Sequence, residues 1–264
     1  MTDNRPIGIF DSGLGGLTVL AQIQRLLPHE DLIYVADTAY LPYGTKPAAQ
    51  IIERALAISE FLLTQQVKGI VVACNSATAA AITTLRTRYA IPIIGIEPAV
   101  KPAVMSTATG VVGILATHST LNSDRFAALV ASYGQGRKVL VQPCPGWVEA
   151  VERGQLNTPD IRQRVEQAIA PLLAQGVDHL VLGCTHYPYL LPLIRQVAGP
   201  HMIIIDPSPA VARQLMHRLR EIDALADEGR AGSERFYSSG PAAAAQPVMA
   251  ALLGRPVSVS ALPA

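Results

Sequence analysis

The sequence has no excess of charge of either sign, few cysteines and no long apolar run. Its 264 residues contain 21 lysines and arginines against 20 aspartates and glutamates, which leaves a formal charge of +1. Nucleic acid is not indicated as a partner, because phosphate binding relies on clustered Lys and Arg. We expect the partner to be a small neutral or anionic molecule.

Half of the residues are apolar, but the longest apolar runs, such as 69–73 and 202–205, have the length of strands. A membrane span needs about 18 consecutive apolar residues. The first residues have neither the basic opening nor the apolar core of a signal peptide. We therefore expect no membrane contact and a cytoplasmic location.

Three cysteines, Cys74, Cys144 and Cys184, form an odd and sparse set. Such a set is not a disulfide framework, and it fits a reducing compartment. The role of each thiol therefore has to be inferred from its neighbours.

Short β-branched runs alternate with longer amphipathic stretches in the first 90 residues. The predicted strands are 7–10, 32–36 and 69–73, and the predicted helices are 17–27, 48–65 and 77–89. This alternation is typical of βαβ units and predicts an α/β fold with mainly parallel sheets. Ligands of such sheets bind at the carboxyl ends of the strands. The residues directly after each run are therefore the candidates for a site.

The chain also contains a diverged internal repeat. Segments 8–12, 70–75 and 96–98 resemble, in the same order and at a nearly constant offset, segments 113–117, 180–185 and 205–207. We predict two similar α/β domains related by pseudo-two-fold symmetry, with the active site in the cleft between them. The tail, with predicted helices at 210–226 and 242–253, is too short for a third domain. The first domain is therefore predicted to comprise 1–98 and 208–264, and the second 99–207.

The repeat gives Cys74 and Cys184 equivalent positions, each at the end of a predicted strand and before helix-compatible sequence. Helix N-termini bind carboxylates and lower the pKa of a nearby thiol. A thiolate and a thiol on opposite sides of a carbon atom suit racemisation without a cofactor. The other interpretation is a pair of small buried core residues. Cys144 has no such partner and is interpreted as structural.

Two further side chains lie next to these cysteines. His186 follows Cys184 by two residues, and Asp11 lies directly at the end of the first predicted strand, 7–10. Each could orient its cysteine or exchange a proton with it, and Asp11 could also cap the following helix. A zinc site would need three or four ligands, which the spacing of Cys184 and His186 does not supply. We predict no metal.

A glycine-rich segment, 11–18, follows the first strand and opens a helix, with Asp37 at about the spacing of a dinucleotide-binding acid. Thr18 occupies the third glycine position, so we favour a loop whose N–H groups bind a substrate carboxylate. Pyridoxal phosphate would require a Schiff-base lysine in a phosphate-binding context. That context is missing around all the lysines of the chain, which are Lys46, Lys68, Lys101 and Lys138. We predict no cofactor.

Four segments together resemble the cofactor-independent glutamate racemases of the aspartate/glutamate racemase superfamily. They are 8–16, 37–44, 73–77 and 182–188, and they occur in the family's order. The resemblance implies a homodimeric isomerase that interconverts L- and D-glutamate and supplies D-glutamate for peptidoglycan biosynthesis. It also implies that Cys74 and Cys184 are the two proton donors and acceptors, with Asp11 and His186 as their catalytic neighbours.

The resemblance further implies which residues surround the substrate: Asp11, Ser12, Pro42, Tyr43, Gly44, Asn75, Ser76, Thr117, Thr185 and His186. Glu152 matches a glutamate that supports the histidine, although it is equally plausible as a solvated helix charge. Two alternatives stay open from the residues. One is a racemase for aspartate or another acidic amino acid, and the other is a two-lobed amino-acid-binding protein.

Overall fold

The first sheet is formed by the βαβ units at the start of the chain. The computed structural model describes residues 2–263. Four parallel strands lie in the order β2-β1-β3-β4, namely β1 (Ile7–Asp11), β2 (Leu32–Ala36), β3 (Gly69–Val72) and β4 (Ile93–Gly95). The helices that connect them are α1 (Leu17–Leu26), α2 (Ala48–Thr64) and α3 (Asn75–Arg88). Buried strands of this kind have apolar side chains on both faces, because helices cover both sides of a parallel sheet.

The second sheet repeats this arrangement. Its strands lie in the order β6-β5-β7-β8, all parallel, and are β5 (Val111–Ala116), β6 (Lys138–Pro143), β7 (His179–Gly183) and β8 (Ile203–Ile205). Its helices are α4 (Val100–Ser106), α5 (His118–Leu121), α6 (Asp124–Tyr133), α7 (Trp147–Glu152), α8 (Pro159–Leu173) and α9 (Leu191–Ala198). The equivalent strand orders confirm two similar α/β domains with parallel sheets.

The tail adds two strands to the first sheet. Strand β9 pairs with β2, and β10 pairs with β9, both in parallel. The tail comprises α10 (Ser208–Glu221), β9 (Glu234–Ser238), α11 (Ala242–Leu253) and β10 (Val259–Ala261). The predicted boundaries between the domains, 98/99 and 207/208, lie between the strands of the two sheets and stay a prediction. Among the described residues, every helix is too short or too polar to cross a membrane.

The segment between α4 and β5 is bound to the start of β7 by one carboxylate. Asp178 accepts hydrogen bonds from the Thr107 hydroxyl at 2.6 Å, the Ala108 N–H at 2.7 Å and the Thr109 N–H at 3.0 Å. Its Oδ1 lies 2.8 Å from Nδ1 of His179. Partial burial would raise the pKa of Asp178, but the hydrogen bonds from Thr107 and His179 outweigh it and hold this pKa well below its usual value.

Replacing this carboxylate should therefore change stability in a pH-dependent way. Asp178→Asn should lower the free energy of unfolding at pH 7 by roughly 1.5–3 kcal/mol, the usual loss for hydrogen bonds to a charged group. Because the folded pKa is depressed, the contribution is present above the unfolded pKa of about 3.9 and is lost as the pH falls through the folded pKa. Urea denaturation of both proteins at pH 7, 5 and 3 measures the difference.

Asp160→Asn is the control for Asp178→Asn. The Asp160 carboxylate is exposed and pairs with Arg164 on the same helix, so its replacement should change stability little. A difference between wild type and Asp178→Asn that is as large at pH 3 as at pH 7 would contradict the prediction.

Candidate active site

The carboxyl ends of the central strands of both sheets meet at one small cavity. Its volume, traced by the centre of a water-sized sphere, is about 20 Å³, room for about one or two water molecules. All residues that the resemblance implied for the substrate lie on its wall, together with both candidate cysteines and Val148. The complete wall is Asp11, Ser12, Pro42, Tyr43, Gly44, Cys74, Asn75, Ser76, Thr117, Val148, Cys184, Thr185 and His186.

Cys74 lies two residues after the end of β3 and is the N-cap of α3. Its Sγ accepts a hydrogen bond from the Ala77 N–H at 3.5 Å and lies 3.8 Å from the Ser12 hydroxyl. Burial raises the pKa of the Cys74 thiol, and the negative charge of Asp11 raises it further, while the Ala77 N–H acts in the opposite direction. Cys74 is therefore held as a neutral thiol in this environment.

Cys184 follows β7, the equivalent strand of the second sheet, and lies next to the imidazole of His186. Its Sγ lies 3.6 Å from Nδ1 of His186, whose Nε2 lies 2.6 Å from Oε1 of Glu152. Burial alone would lower the pKa of His186, but its hydrogen bonds with Cys184 and Glu152 raise it well above its usual value. A protonated imidazole thus faces Cys184, whereas a carboxylate faces Cys74.

Asp11 ends β1 and is fully buried. Its carboxylate accepts hydrogen bonds from the Ser12 N–H at 2.7 Å and the Gly16 N–H at 2.8 Å, and it lies 3.5 Å from the Thr185 hydroxyl. Burial raises the pKa of Asp11, and the charge of His186 opposes part of that effect. Because Gly16 is the N-cap of α1, the carboxylate holds the start of this helix. Through its contact with Thr185 it also joins the first half of the chain, which forms the first sheet, to the second half, which forms β5 to β8.

The glycine-rich loop contacts the second half of the chain. The Leu14 N–H donates to Glu152 at 2.6 Å, and the Gly15 N–H lies 3.2 Å from Nε2 of His186. A Cβ at Gly13 would lie 2.1 Å from a Glu152 oxygen, and one at Gly15 would lie 2.2 Å from Nδ1 of His186. The expectation that these N–H groups bind a substrate carboxylate is therefore wrong for Leu14 and Gly15. The glycines are needed because side chains from the second half pack against this loop.

Comparison with known proteins agrees with this geometry. A model of the Asp/Glu/Hydantoin racemase family matches residues 7–215. The chain belongs to this family. It is therefore an isomerase, an amino-acid racemase, and the resemblance seen in the motifs is confirmed.

Relatives of this racemase are similar to it over nearly their full lengths. It is 52% identical to a glutamate racemase from Methylococcus capsulatus over 253 residues, which cover 96% of this chain and 93% of the relative. Among solved structures, a glutamate racemase isoform from Bacillus anthracis, RacE1, has a TM-score of 0.91 at 33% identity and covers 99% and 98% of the two chains. A Francisella tularensis glutamate racemase in complex with D-glutamate has a TM-score of 0.86 at 31% identity, with coverage of 99% and 98%.

The sequence did not indicate two residues at the cavity of the racemase, Val148 on its wall and Thr120 next to it. The Thr120 hydroxyl lies 3.1 Å from that of Thr117 and 3.4 Å from that of Ser76, and the Ser76 and Thr117 hydroxyls are 3.0 Å apart. These three hydroxyls connect α3 of the first half with α5 of the second. Thr120 could have been found from its spacing, because its N–H donates to Thr117, the N-cap three residues earlier. Val148 is an apolar residue of α7, and nothing in the sequence distinguishes it from an ordinary core residue.

The racemase's charged side chains fit neither a metal site nor a Schiff base. Within residues 2–263, no group of three or more His, Cys, Asp or Glu side chains is arranged to hold a metal ion. All four lysines lie in this part of the chain, and none belongs to the cavity wall. The ammonium of Lys68, for example, is buried 2.5 Å from Glu30.

Proposed function

We propose that this racemase interconverts L- and D-glutamate without a cofactor, by a 1,1-proton transfer between Cys74 and Cys184. One observation carries the proposal: two buried thiols, which lie just after the carboxyl ends of equivalent strands of the two sheets, line the same cavity. The glutamate racemases at 52% and 33% identity support glutamate as the substrate. The complex of the Francisella tularensis relative with D-glutamate supports it further.

The transfer has two steps with one proton in each. The thiolate of one cysteine removes the α-proton and becomes a thiol, and the electron pair of the broken C–H bond stays on the α-carbon. The second cysteine then donates its S–H proton to the opposite face and becomes a thiolate. His186, with its raised pKa, supplies or accepts the proton of Cys184, and Asp11 does the same for Cys74.

The cavity wall has the polar groups that an amino acid with two carboxylates requires. The Oδ1 of Asn75 is buried and has no hydrogen-bond partner among the described residues, so it is a free acceptor for the α-ammonium group. The hydroxyls of Ser12, Ser76, Thr117 and Thr185 are donors for the carboxylates. The N-terminus of α3 adds a partial positive charge next to Cys74.

Glutamate needs more room than this cavity offers, so the wall has to move when substrate enters. A second cavity of about 90 Å³ shares Pro42, Gly44, Thr117 and Val148 with the first. Because these four residues line both spaces, we propose that substrate reaches the cysteines through the second cavity. The D-glutamate produced would supply peptidoglycan biosynthesis in the cytoplasm, and a homodimer is the expected assembly.

The function is tested by incubating the purified protein in deuterated water, without added cofactor, with L-glutamate or L-aspartate. We expect optical rotation to disappear with L-glutamate while one deuterium enters the α-position. Faster loss with L-aspartate would assign the protein to the alternative acidic substrate. Binding of glutamate without exchange or loss of rotation would instead indicate an amino-acid-binding protein and would overturn the proposal.

A further inference from the structure

Asp37, which the sequence offered as a dinucleotide-binding acid, is buried behind one wall of the cavity. It follows β2, and its N–H donates to the carbonyl of Asp11 at 2.9 Å. Its carboxylate accepts two hydrogen bonds from Arg54 of α2, at 3.0 Å from Nε and 2.9 Å from Nη2, and a third from the Tyr43 hydroxyl. Tyr43 belongs to the cavity wall, but Asp37 and Arg54 do not.

We propose that Arg54 and Asp37 are positioning residues for substrate binding, which hold Tyr43 and the adjoining Pro42 and Gly44 in the place where they close the cavity. The inference rests on the proposed function, because it concerns the binding of the same substrate. It assigns the two residues no contact with the substrate and no role in proton transfer.

The connection between these side chains is rigid. Asp37 is fully buried, and the side chain of Arg54 is 17% exposed, so the carboxylate depends on the bidentate pair for its charge compensation. The guanidinium of Arg54 lies 3.9 Å from the ring centre of Tyr40, which restricts it further. Burial raises the pKa of Tyr43, as does the charge of Asp37, so the Tyr43 hydroxyl keeps its proton and stays a donor.

The wall held by Asp37 meets the second half of the chain across the cavity. A Cβ at Gly44 would lie 2.9 Å from Cβ of Thr117, so the two sides are already in contact here. A wall that is released from Asp37 loses its fixed position, and after substrate has entered it spends less time in the arrangement that closes over it. The apparent affinity for substrate falls by the fraction of time in which the competent arrangement is populated. The chemistry in the closed state should be nearly unaffected, because Cys74 and Cys184 are supported by other contacts.

The test compares kcat and KM of the wild type with those of Arg54→Met, Asp37→Asn and Tyr43→Phe. We expect KM for both L- and D-glutamate to rise about tenfold in each variant, with kcat within about threefold of the wild type. Arg54→Lys keeps the charge but not the bidentate pairing, so its KM should be intermediate. The double variant Arg54→Met/Tyr43→Phe should be no worse than the poorer single variant, because both act through one carboxylate.

The surface of the same half offers a matched control. Arg88 and the Tyr89 hydroxyl both donate to Glu60, at 3.1 Å and 2.7 Å, which repeats the three chemical groups at exposed positions away from the cavity. Arg88→Met and Tyr89→Phe should leave KM and kcat unchanged. The inference is overturned if Arg54→Met, Asp37→Asn and Tyr43→Phe keep the wild-type KM, whether or not their kcat falls.

Calorimetric titration with D-glutamate makes the result independent of turnover. We expect the dissociation constant to rise by about the same factor as KM in the three variants. A wild type that does not racemise glutamate would contradict the proposed function alone. A wild type that racemises or binds glutamate, with variants that bind it equally well, would contradict only the positioning role.

Discussion

Cys74→Ala and Cys184→Ala should each nearly abolish glutamate racemisation, with a loss of about 10⁴-fold, the upper end of what one positioned acid or base contributes. In the proposed mechanism each cysteine is the proton donor or acceptor for one face of the α-carbon, and the other cysteine lies on the opposite face. The fold should survive, since each substitution removes a single sulfur atom from the cavity wall. Polarimetry gives the rate, and circular dichroism and thermal unfolding show whether the fold is retained. Near wild-type turnover in either variant would contradict the two-base mechanism.

Cys144→Ala is the matched control for these substitutions. Cys144 is also buried, but it lines the adjoining cavity and does not belong to the wall of the cavity that holds the other two thiols. Its Sγ lies 3.4 Å from the Gln142 carbonyl, and burial raises its pKa well above the usual value. The same chemical change at Cys144 should therefore leave racemisation within about threefold of the wild type.

The exchange of α-hydrogen in deuterated water distinguishes the two thiols further. Any exchange that survives in Cys74→Ala and Cys184→Ala should concern opposite enantiomers, because each remaining thiolate faces one side of the α-carbon. Exchange of the same enantiomer in both variants would contradict an arrangement with one cysteine on each side. Serine at either position should be less damaging than alanine but still severe, because a hydroxyl is a far weaker acid than a thiol.

The parallel sheets could be predicted from sequence because their central strands are buried on both faces. Strand β2 has the predicted bounds, and β1 and β3 differ from the prediction by one residue at one end. The internal repeat then predicted a second sheet of the same kind, which β5 to β8 form. Here a local signal, the continuous apolar run, coincides with what the tertiary structure requires.

The tail was less predictable, because its short elements depend on contacts with distant residues. Helix α10 ends at Glu221, five residues before the predicted end at 226. Asp223 has a φ of 53°, and this left-handed conformation cannot continue a helix. Strand β10 consists of only Val259, Ser260 and Ala261, and it is ordered by pairing with β9. No local pattern of three residues could have indicated it.

The residues of the candidate site also differ in how far the sequence could predict them. Asp11, Cys74, Thr117 and Cys184 lie at strand ends, so the topology of a parallel sheet was enough to single out this edge. Pro42, Tyr43 and Gly44 were reached only through the family resemblance, since their position depends on contacts such as that between Tyr43 and Asp37. The pairing of the glycine-rich loop with Glu152 joins residues 138 positions apart. Sequence spacing alone carries no information about such a contact.

The same glycine-rich loop also contacts His186, and this contact gives the second large expected effect. Gly15→Ala should lower racemisation by about 100-fold. The added Cβ would lie 2.2 Å from Nδ1 of His186 and 2.6 Å from its Cγ, so the imidazole has to move. It is held between Glu152 at 2.6 Å and Cys184 at 3.6 Å and cannot move without losing one of them. A displacement of about 1 Å at a reacting group can cost about 100-fold in rate.

The loss in Gly15→Ala should come from this contact, because Gly15 is not among the glycines with positive φ. Gly229→Ala is the matched control: that glycine also lacks a positive φ, and its Cβ would lie 3.4 Å from the nearest atom, an oxygen of Asp227. Its activity should equal that of the wild type. His186→Asn should lose as much activity as Gly15→Ala or more. The double variant should be no worse than His186→Asn, because both changes act through the imidazole of His186. Losses that multiply in the double variant would show that Gly15 acts through something other than His186.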